Sequence, residues 1–158
     1  MRLKDKVAIV TGGGSGFGEA IAKRFAEEGA KLVVNDVNDA GGTGVARAIE
    51  AAQGQGSAIY VHADVARDSD MAGLIKASLD RYGRIDILVN NAGITHVNRP
   101  MLEVGEEEFD RIFAVNVKSI YLSARHLVPV LRRQGKGGVI INTASTAGIR
   151  PRPGLVWY

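Results

Sequence analysis

The feature of this sequence that most constrains its fold is an apolar run, residues 6–10 (KVAIV), that leads directly into a glycine-rich loop, residues 11–18 (TGGGSGFG). The run predicts a buried strand, and the glycines predict a turn that ends it. Glycine lacks a Cβ, so the backbone of such a loop can approach a ligand closely and adopt positive φ angles. A helix that starts in the loop points its free N–H groups and the positive end of its dipole at the same place. This order of elements predicts a phosphate-binding turn.

The residues after the loop predict a helix and then a second strand. The helix ends at Gly29, and residues 31–36 (KLVVND) form the strand. The predicted buried stripe of the helix comprises Phe17, Ala20, Ile21, the stem of Arg24 and Phe25. The strand ends in an acid, Asp36. In dinucleotide-binding folds an acid at this place accepts hydrogen bonds from the adenosine ribose hydroxyls.

The spacing of the glycines separates this loop from the common dinucleotide fingerprint. No register of them fits G-x-G-x-x-G. The pattern that fits is T-G-x-x-x-G-x-G, formed by Thr11, Gly12, Gly16 and Gly18. A glycine-rich loop by itself has two interpretations, a tight turn with no ligand or a phosphate-binding turn. The strand before it, the helix after it and Asp36 favour the second.

Short apolar strands and amphipathic helices alternate along the rest of the chain. Further strands are predicted at residues 58–63, 85–89 and 139–143. A helix capped by Asp68 and closed by Gly83, and a long helix over residues 106–133, lie between them. The start of the second predicted helix is weakened by glycines, which destabilise a helix. These glycines are Gly41, Gly42 and Gly44.

This order predicts a single α/β domain over residues 1–158, with a Rossmann-like, doubly wound parallel sheet of five strands covered on both faces. In such sheets a ligand binds beyond the carboxyl ends of the strands, where the strand order reverses. The residues that follow strand ends are therefore expected to line one crevice. They are the glycine loop, Asp36, Asp64, residues 90–93 and Ser145.

Asn116 lies within the predicted apolar stripe of the long helix. The stripe comprises Phe109, Ile112, Phe113, Ile120, Tyr121, Ala124 and Leu127. A buried amide needs hydrogen-bond partners, or it destabilises the fold. Two interpretations follow: a structural amide that bonds a neighbouring strand, or a polar group in the floor of an active site.

Composition argues against several functional classes. The net charge of +3 is scattered, which disfavours nucleic-acid binding, and the absence of cysteine excludes disulfides and cysteine-based metal sites. The histidines, His62, His96 and His126, show no ligand spacing, so no metal is expected. No apolar run approaches the roughly 20 residues that span a bilayer, and no signal peptide begins the sequence. We therefore expect a cytoplasmic protein without a membrane partner.

Several motifs, in this order, resemble those of the short-chain dehydrogenase/reductase family, and the resemblance covers the whole chain. The T-G-x-x-x-G-x-G loop is similar to that family's cofactor signature, and residues 90–93 (NNAG) are similar to its N-N-A-G segment. Asp64 and Val65 match the pair that lies against the adenine ring. The matches to the family's catalytic asparagine, serine and tyrosine are Asn116, Ser145 and Tyr158, the last two thirteen residues apart.

The resemblance implies hydride transfer, without a metal, between a nicotinamide cofactor and a secondary alcohol or ketone such as a 3-oxoacyl, sugar or other small carbonyl compound. In the family the tyrosine is the general acid or base at the substrate oxygen. The serine hydroxyl hydrogen-bonds the same oxygen, and the asparagine keeps a water in a proton relay. The implied cofactor-binding residues are Gly12, Ser15, Gly16, Phe17, Gly18, Asp36, Asp64, Val65, Asn91, Ala92 and Gly93. Family members are often tetramers, so we expect a homo-oligomer, either a tetramer or a dimer.

The sequence departs from the family at its end. The family's remaining catalytic residue is a lysine four residues after the tyrosine, and the sequence stops at Tyr158. The lysine, its helix and the C-terminal strands are missing, so we expect a piece of a longer enzyme, with impaired activity if the chain does end here. The alternative function is a non-catalytic dinucleotide-binding sensor or interaction protein. The spacing of Ser145 and Tyr158 argues against it, since a pure binding protein needs neither.

The residues near Asp36 predict the choice of cofactor. Asp36 is followed by Val37 rather than by a basic residue, and a carboxylate there bonds ribose hydroxyls and repels a 2′-phosphate. We therefore predict NAD in preference to NADP. Arg150 and Arg152 have two interpretations, contacts for an anionic substrate or members of a surface loop with two prolines.

Overall fold

The structure is a computed structural model that describes all 158 residues. The strands are β1 (Val7–Thr11), β2 (Lys31–Asp36), β3 (Ala58–His62), β4 (Ile87–Asn90) and β5 (Val139–Asn142). The helices are α1 (Gly16–Glu27), α2 (Asp39–Gln53), α3 (Asp68–Tyr82), α4 (Glu106–Phe113) and α5 (Ser119–Gln134), with a π-helical turn (Ala114–Lys118) between α4 and α5. None of these helices has the length and apolar character needed to cross a membrane.

The strands form one parallel sheet in the order β3-β2-β1-β4-β5. The chain builds outward from β1 to β3 on one side, then returns to the centre and builds outward through β4 and β5 on the other. The strand order therefore reverses between β1 and β4, which is the switch point of a doubly wound sheet. The predicted Rossmann-like fold is confirmed, and its five strands match the predicted positions to within two residues at each end.

Central strand β1 explains why the first apolar run is continuous rather than alternating. Ala8 and Val10 face the layer that contains α1 and α2, whereas Ile9 faces the layer that contains α3 and α5. All three are fully buried. A parallel strand with helices on both faces has no solvent side, so each of its positions favours an apolar residue.

Helix α1 packs through small residues instead of the predicted large ones. Its buried positions are Gly18, Ala22 and Ala26, one turn apart, while Ile21 and Phe25 pack beside them. Phe17 is 83% exposed, so the prediction that it belongs to the buried stripe is wrong. Small side chains let the helix backbone lie close to the sheet, and a count of large apolar residues does not detect such a face.

Helix α2 is regular from its first residue, so the prediction of a weak start is wrong. Asn38 caps it, with Oδ1 accepting a hydrogen bond from the Gly41 N–H at 3.0 Å. Gly42 lies against the ring of Tyr60 on β3, where an added Cβ would be 2.1 Å from a ring carbon. Close packing against the neighbouring strand therefore accounts for this glycine.

Helix α3 and its N-cap both lie one position earlier in the chain than the sequence predicts. The N-cap is Arg67, and Asp68 is the first helical residue. Its carboxylate Oδ1 lies 2.9 Å from His126 Nε2 on α5, and this hydrogen bond holds the pKa of Asp68 below its ordinary value. Gly83 ends the helix in the left-handed conformation, as predicted.

The predicted long helical stretch is continuous, but it contains the π-helical turn, which rotates the residues that follow it. The buried side chains of α5 are Ser119, Leu122, Ser123, Leu127 and Val130. Phe113 and Tyr121, predicted to be in the apolar stripe, are instead exposed. A π turn adds one residue to a helical turn, so a strict 3.6-residue period misassigns the face beyond it.

Candidate functional site

A cavity of about 930 Å³ lies beyond the carboxyl ends of the strands, where the strand order reverses. The loops that follow all five strands contribute to its wall. Thirteen of the fourteen residues predicted for the site line it, and the exception is Asn116. They are Gly12, Ser15, Gly16, Phe17, Gly18, Asp36, Asp64, Val65, Asn91, Ala92, Gly93, Ser145 and Tyr158.

The glycine loop packs its own backbone too tightly for side chains. A Cβ at Gly18 would lie 2.0 Å from the carbonyl oxygen of Gly12. Gly16 has a φ of 56°, a left-handed conformation that other residues adopt at a cost. The start of α1 is therefore presented to the cavity as nearly bare backbone, with Ser15, Gly16 and Phe17 exposed. This arrangement fits the pyrophosphate of a dinucleotide, which binds at a helix N-terminus.

Thr11 connects the glycine loop to the segment after β4. Its Oγ1 accepts hydrogen bonds from the backbone N–H groups of Asn91 and Ala92, at 3.0 and 3.1 Å. The Asn91 side chain returns a hydrogen bond from Nδ2 to the Thr11 carbonyl oxygen at 2.9 Å. The loops that follow β1 and β4 therefore form one fixed wall. Thr11 was placed in the loop pattern from sequence, but this supporting role became visible only in the fold.

The Asp36 carboxylate is held by the backbone around it. Oδ2 accepts a hydrogen bond from the Gly14 N–H and Oδ1 accepts one from the Asn38 N–H, both at 2.9 Å. An ionised carboxylate has about four acceptor positions, so it keeps capacity for ribose hydroxyls. The glycine loop and the acid are thereby fixed relative to each other.

Asn35 is a residue of this site that sequence reasoning missed. It is fully buried, lines the cavity, and donates from Nδ2 to the carbonyl oxygens of Ala63 and Val61, at 2.9 and 3.2 Å. These bonds fix the end of β3 beside the end of β2. A polar amide inside an otherwise apolar strand was the available signal, because a buried amide needs partners.

The segment after β3 is also fixed by local hydrogen bonds. The Asp64 N–H donates to Asp70 Oδ2 at 3.1 Å, and Asp64 Oδ1 accepts from the Ala66 N–H at 2.9 Å. The bond from the Asp64 backbone lowers the pKa of Asp70. Val65 is buried at the cavity wall, so it presents an apolar contact beside the Asp64 carboxylate.

Asn116 lies in the π-helical turn and bonds the segment after β4. Its Oδ1 accepts from the Ile94 N–H at 2.9 Å, and its Nδ2 donates to the Ile94 carbonyl oxygen at 2.8 Å. The amide is thus satisfied by the backbone, and the neighbouring Val115 lines the cavity. π turns occur frequently at functional sites, but a direct catalytic role for Asn116 stays a prediction.

Ser145 and Tyr158 both line the cavity. Ser145 starts a short 3₁₀ turn, and its Oγ accepts a hydrogen bond from the Ala147 N–H at 3.1 Å. The segment that carries Tyr158 is held by its neighbour Trp157, whose indole N–H donates to the Met101 carbonyl oxygen at 3.0 Å. The Trp157 ring also packs edge-on against Phe109, with the ring centroids 5.5 Å apart.

Acidic and basic side chains line different parts of the cavity. Asp36 and Asp64 follow β2 and β3, while Arg111 and Arg152 reach the cavity from α4 and from the segment before Tyr158. Neither arginine side chain makes an ion pair or a hydrogen bond with the protein. Arg150 lies with Arg152 in a smaller adjoining depression.

Comparison with known proteins identifies relatives over the whole chain. A family model described as short chain dehydrogenase matches residues 6–158. A 4-formylbenzenesulfonate dehydrogenase from Comamonas testosteroni is 47% identical over 158 residues, which are 100% of this chain and 62% of the relative. The chain therefore spans less than two thirds of that protein.

Two solved structures share the fold closely. A 3-ketoacyl-(acyl-carrier-protein) reductase from Brucella melitensis, complexed with NADH, is 47% identical with a TM-score of 0.92, covering 99% of this chain and 64% of that one. A short chain dehydrogenase/reductase from Burkholderia phymatum, in complex with NAD, is 32% identical with a TM-score of 0.94, covering 100% of this chain and 55% of that one.

Proposed function

This chain belongs to the short-chain dehydrogenase family, and from that premise we propose that it binds NAD(H) and carries most of the active site of an oxidoreductase. The reaction is hydride transfer between the cofactor and a secondary alcohol or ketone. One observation carries the proposal: the glycine loop, Asp36, Ser145 and Tyr158 line the same cavity, although they come from distant parts of the chain.

The cofactor is proposed to lie along the carboxyl ends of the strands. Asp36 receives the adenosine ribose hydroxyls, Asp64 and Val65 border the adenine, and the start of α1 receives the pyrophosphate. The segment of Asn91, Ala92 and Gly93 borders the nicotinamide half. The two solved relatives that hold NADH and NAD support this placement.

The residues of this chain would handle the proton while the bound nicotinamide supplies or accepts the hydride. The Tyr158 hydroxyl gives a proton to, or takes one from, the substrate oxygen. The Ser145 hydroxyl donates a hydrogen bond to the same oxygen and fixes its position. Asn116 acts on the segment after β4 through its two bonds to Ile94.

NAD is proposed over NADP because of the charge at Asp36. Its carboxylate is fixed by Gly14 and Asn38 and cannot turn away from a 2′-phosphate without losing those bonds. A 2′-phosphate there would place a second anion against it, whereas ribose hydroxyls donate hydrogen bonds to it.

The substrate is proposed to be a small carbonyl or alcohol compound with an anionic group. Arg111 and Arg152 line the cavity without an anionic partner in the chain. The 4-formylbenzenesulfonate dehydrogenase to which this chain is similar is named for a sulfonate substrate, which supports this substrate class. Guanidinium groups bind carboxylates, sulfonates and phosphates through paired N–H donors.

A homo-oligomer, dimer or tetramer, is also proposed. Phe113, Val117 and Tyr121 are spaced by four residues along α4, the π turn and α5, and their exposed fractions are 44%, 55% and 59%. Exposed large apolar side chains in one row mark a contact surface. The cytoplasmic location expected from the sequence stays a prediction.

The proposed function is tested first by cofactor binding and then by turnover. Titration of the protein with NADH, followed by cofactor fluorescence, is expected to give saturable binding that Gly18→Val abolishes, because a side chain at this position collides with the Gly12 carbonyl. Gly44→Ala is the matched control, since a Cβ there meets nothing within 4 Å. Binding without any hydride transfer in the full-length protein would favour the alternative, a non-catalytic dinucleotide sensor.

A further inference from the structure

Trp157, which precedes Tyr158, is held by two different parts of the chain. Its indole N–H donates to the Met101 carbonyl oxygen at 3.0 Å, and its ring packs edge-on against Phe109 of α4, with the centroids 5.5 Å apart. Phe109 in turn packs against Phe113, one helical turn later, with the centroids 4.5 Å apart. The indole itself does not line the cavity. Its contacts therefore act on the segment that carries Tyr158 and not on a bound substrate.

The two partners of Trp157 are fixed to each other by an ion pair. Arg99 Nη2 lies 3.0 and 2.8 Å from the two carboxylate oxygens of Glu108, and both side chains are partly buried. Hydrogen bonds between two charged groups are stronger than neutral ones. Arg99 lies two positions before Met101, and Glu108 is the neighbour of Phe109. This ion pair therefore ties the segment after β4 to α4 beside the two groups that hold the indole.

Arg99 also holds the turn that precedes Trp157. Its backbone N–H donates to the Gly154 carbonyl oxygen at 3.0 Å. Gly154 has a φ of 76°, and a Cβ there would collide with the Asn98 amide, so the close approach of these two segments requires glycine. The arch, residues 152–158, is therefore fixed at Gly154 as well as at Trp157.

Tyr158 has few contacts of its own that could hold its phenol in place. The residue is 45% exposed, and its hydroxyl makes no hydrogen bond within the chain. Its backbone N–H donates at 3.3 Å to the carbonyl oxygen of Leu155, which is itself part of the arch. The position of the phenol therefore depends on where the arch places its backbone. Trp157 is the side chain that ties this end of the arch to the rest of the fold.

We propose that Trp157 is a positioning residue whose contacts with Met101 and Phe109 set the place of the Tyr158 hydroxyl relative to the substrate oxygen. This inference rests on the proposed role of Tyr158 in proton transfer and adds a residue to it. Proton transfer requires a heavy-atom separation of about 2.6–3.2 Å. A displacement of about 1 Å can lower the rate roughly a hundredfold. Loss of either contact should therefore slow the proton step and leave the cofactor site intact.

The test measures the reduction of two ketones by NADH in the full-length protein, the anionic para-acetylbenzoate and the neutral acetophenone. Trp157→Phe keeps an aromatic ring for Phe109 and loses the indole N–H. It is expected to lower kcat for both ketones roughly three- to tenfold, the effect of one hydrogen bond. Trp157→Ala also loses the ring, so kcat should fall about ten- to a hundredfold. The Kd for NADH should change little in both variants, because the indole lies outside the cavity.

A solvent isotope effect separates a displaced phenol from a loss of folded protein. When the phenol is displaced, the proton step limits turnover more strongly, so the ratio of kcat in water to kcat in heavy water should rise above the wild-type ratio. A smaller folded fraction would lower kcat and leave this ratio unchanged. Phe109→Leu should act in the same direction as Trp157→Phe. The two effects on kcat should be less than additive, because both changes loosen the same contact.

Tyr82→Phe is the matched control. The Tyr82 hydroxyl also donates to backbone carbonyl oxygens, those of Gly56 and Leu32 at 3.3 and 3.4 Å, and the residue does not line the cavity. Its loss should change neither kcat nor the isotope ratio.

The outcomes distinguish this inference from the proposed function. A wild type that binds NADH and reduces neither ketone contradicts the proposed function, and this inference fails with it. A wild type that reduces a ketone, with kcat unchanged in Trp157→Phe and Trp157→Ala, overturns this inference alone. A fall in kcat at the wild-type isotope ratio also overturns it, because it would show a structural role only.

Discussion

The Asn116 side chain and the Ile94 backbone form a pair of hydrogen bonds across the gap between the π-helical turn and the segment after β4. The Asn116 amide bonds both the N–H and the carbonyl oxygen of Ile94, as the backbone of a neighbouring strand would. It thereby sets the distance between the helix and the loop that borders the cavity.

Replacing Asn116 with alanine is expected to destabilise the fold by about 1–3 kcal/mol, because the Ile94 N–H and carbonyl lose their partners. Urea unfolding measures the change. Asn116→Asp keeps the acceptor for the Ile94 N–H but places a carboxylate oxygen against the Ile94 carbonyl oxygen, so it should also be less stable than the wild type near neutral pH. Asn98→Ala, which removes one exposed bond, is the control. Unchanged stability in Asn116→Ala would show that water replaces the amide.

Thr11→Val is expected to lower stability by about 1–3 kcal/mol for each unpaired N–H group and to weaken NADH binding. The valine keeps the shape of threonine, so any effect comes from the lost hydroxyl, which accepts from the Asn91 and Ala92 N–H groups and donates to the Val89 carbonyl oxygen. Thr11→Ser keeps the hydroxyl and should be close to the wild type. If the valine and serine variants bind NADH equally, the connection between the two loops does not matter for the cofactor.

Asp36→Ala is expected to weaken NADH binding by at least about tenfold, since charge-assisted hydrogen bonds to the ribose hydroxyls are lost. The NADH-to-NADPH preference should fall at the same time. Calorimetric titration with both cofactors measures it. Asp36→Asn retains an acceptor for the Gly14 N–H, so comparison of the two variants separates loss of charge from loss of loop structure. An unchanged preference in both variants would refute the role given to Asp36.

Asp86 is expected to make stability fall in acid. Burial raises the pKa of this carboxyl, but hydrogen bonds from Arg84 and from the Val7 N–H outweigh burial and hold the pKa below its ordinary value. The ionised Asp86 carboxylate therefore stabilises the folded state above the pKa of an aspartate in the unfolded chain, near 3.9. This stabilisation is lost as the pH falls through the lower pKa that Asp86 has in the folded state. Asp86→Asn should lower the free energy of unfolding by about 1.5–3 kcal/mol at pH 7. The stability of the variant should also depend less on pH in this acidic range. Urea unfolding at pH 7 and pH 3 measures both effects, and a variant with the wild-type pH dependence would contradict the assignment.

Arg152→Gln is expected to raise the KM for an anionic aldehyde or ketone about tenfold or more in the full-length enzyme, as a charge-assisted bond is lost. The KM for a neutral analogue and the Kd for NADH should change little. Arg150→Gln, in the adjoining depression, is the matched comparison. Equal effects on charged and neutral substrates would assign Arg152 to the surface loop rather than to the substrate.

Much of the fold could be read from the sequence because its signals are local. The continuous apolar runs of β1 and β2 predict strands buried on both faces, and Gly83 predicts a helix end. The errors fall where a contact with a distant element replaces a local preference. Gly42 would weaken an isolated helix, but in the fold it accommodates the Tyr60 ring.

The long helix shows the limit of periodicity. Its apolar residues fit one continuous stripe, and only the π-helical turn reveals that Tyr121, which follows it, leaves the core. The Asn116 side chain in that turn bonds the Ile94 backbone, twenty-two positions earlier, and a local periodicity does not include such a contact.

The sequence alone determined the order of strands and helices, the glycine loop and its acid Asp36, since each depends on neighbours along the chain. Only the tertiary structure decided which side chains support them. The bonds of Thr11 to Asn91, of Asn35 to Ala63 and of Tyr60 to Asp39 join residues that are distant in sequence. Such pairs form only when parallel strands bring their carboxyl ends to one edge of the sheet, so their energies depend on the completed fold.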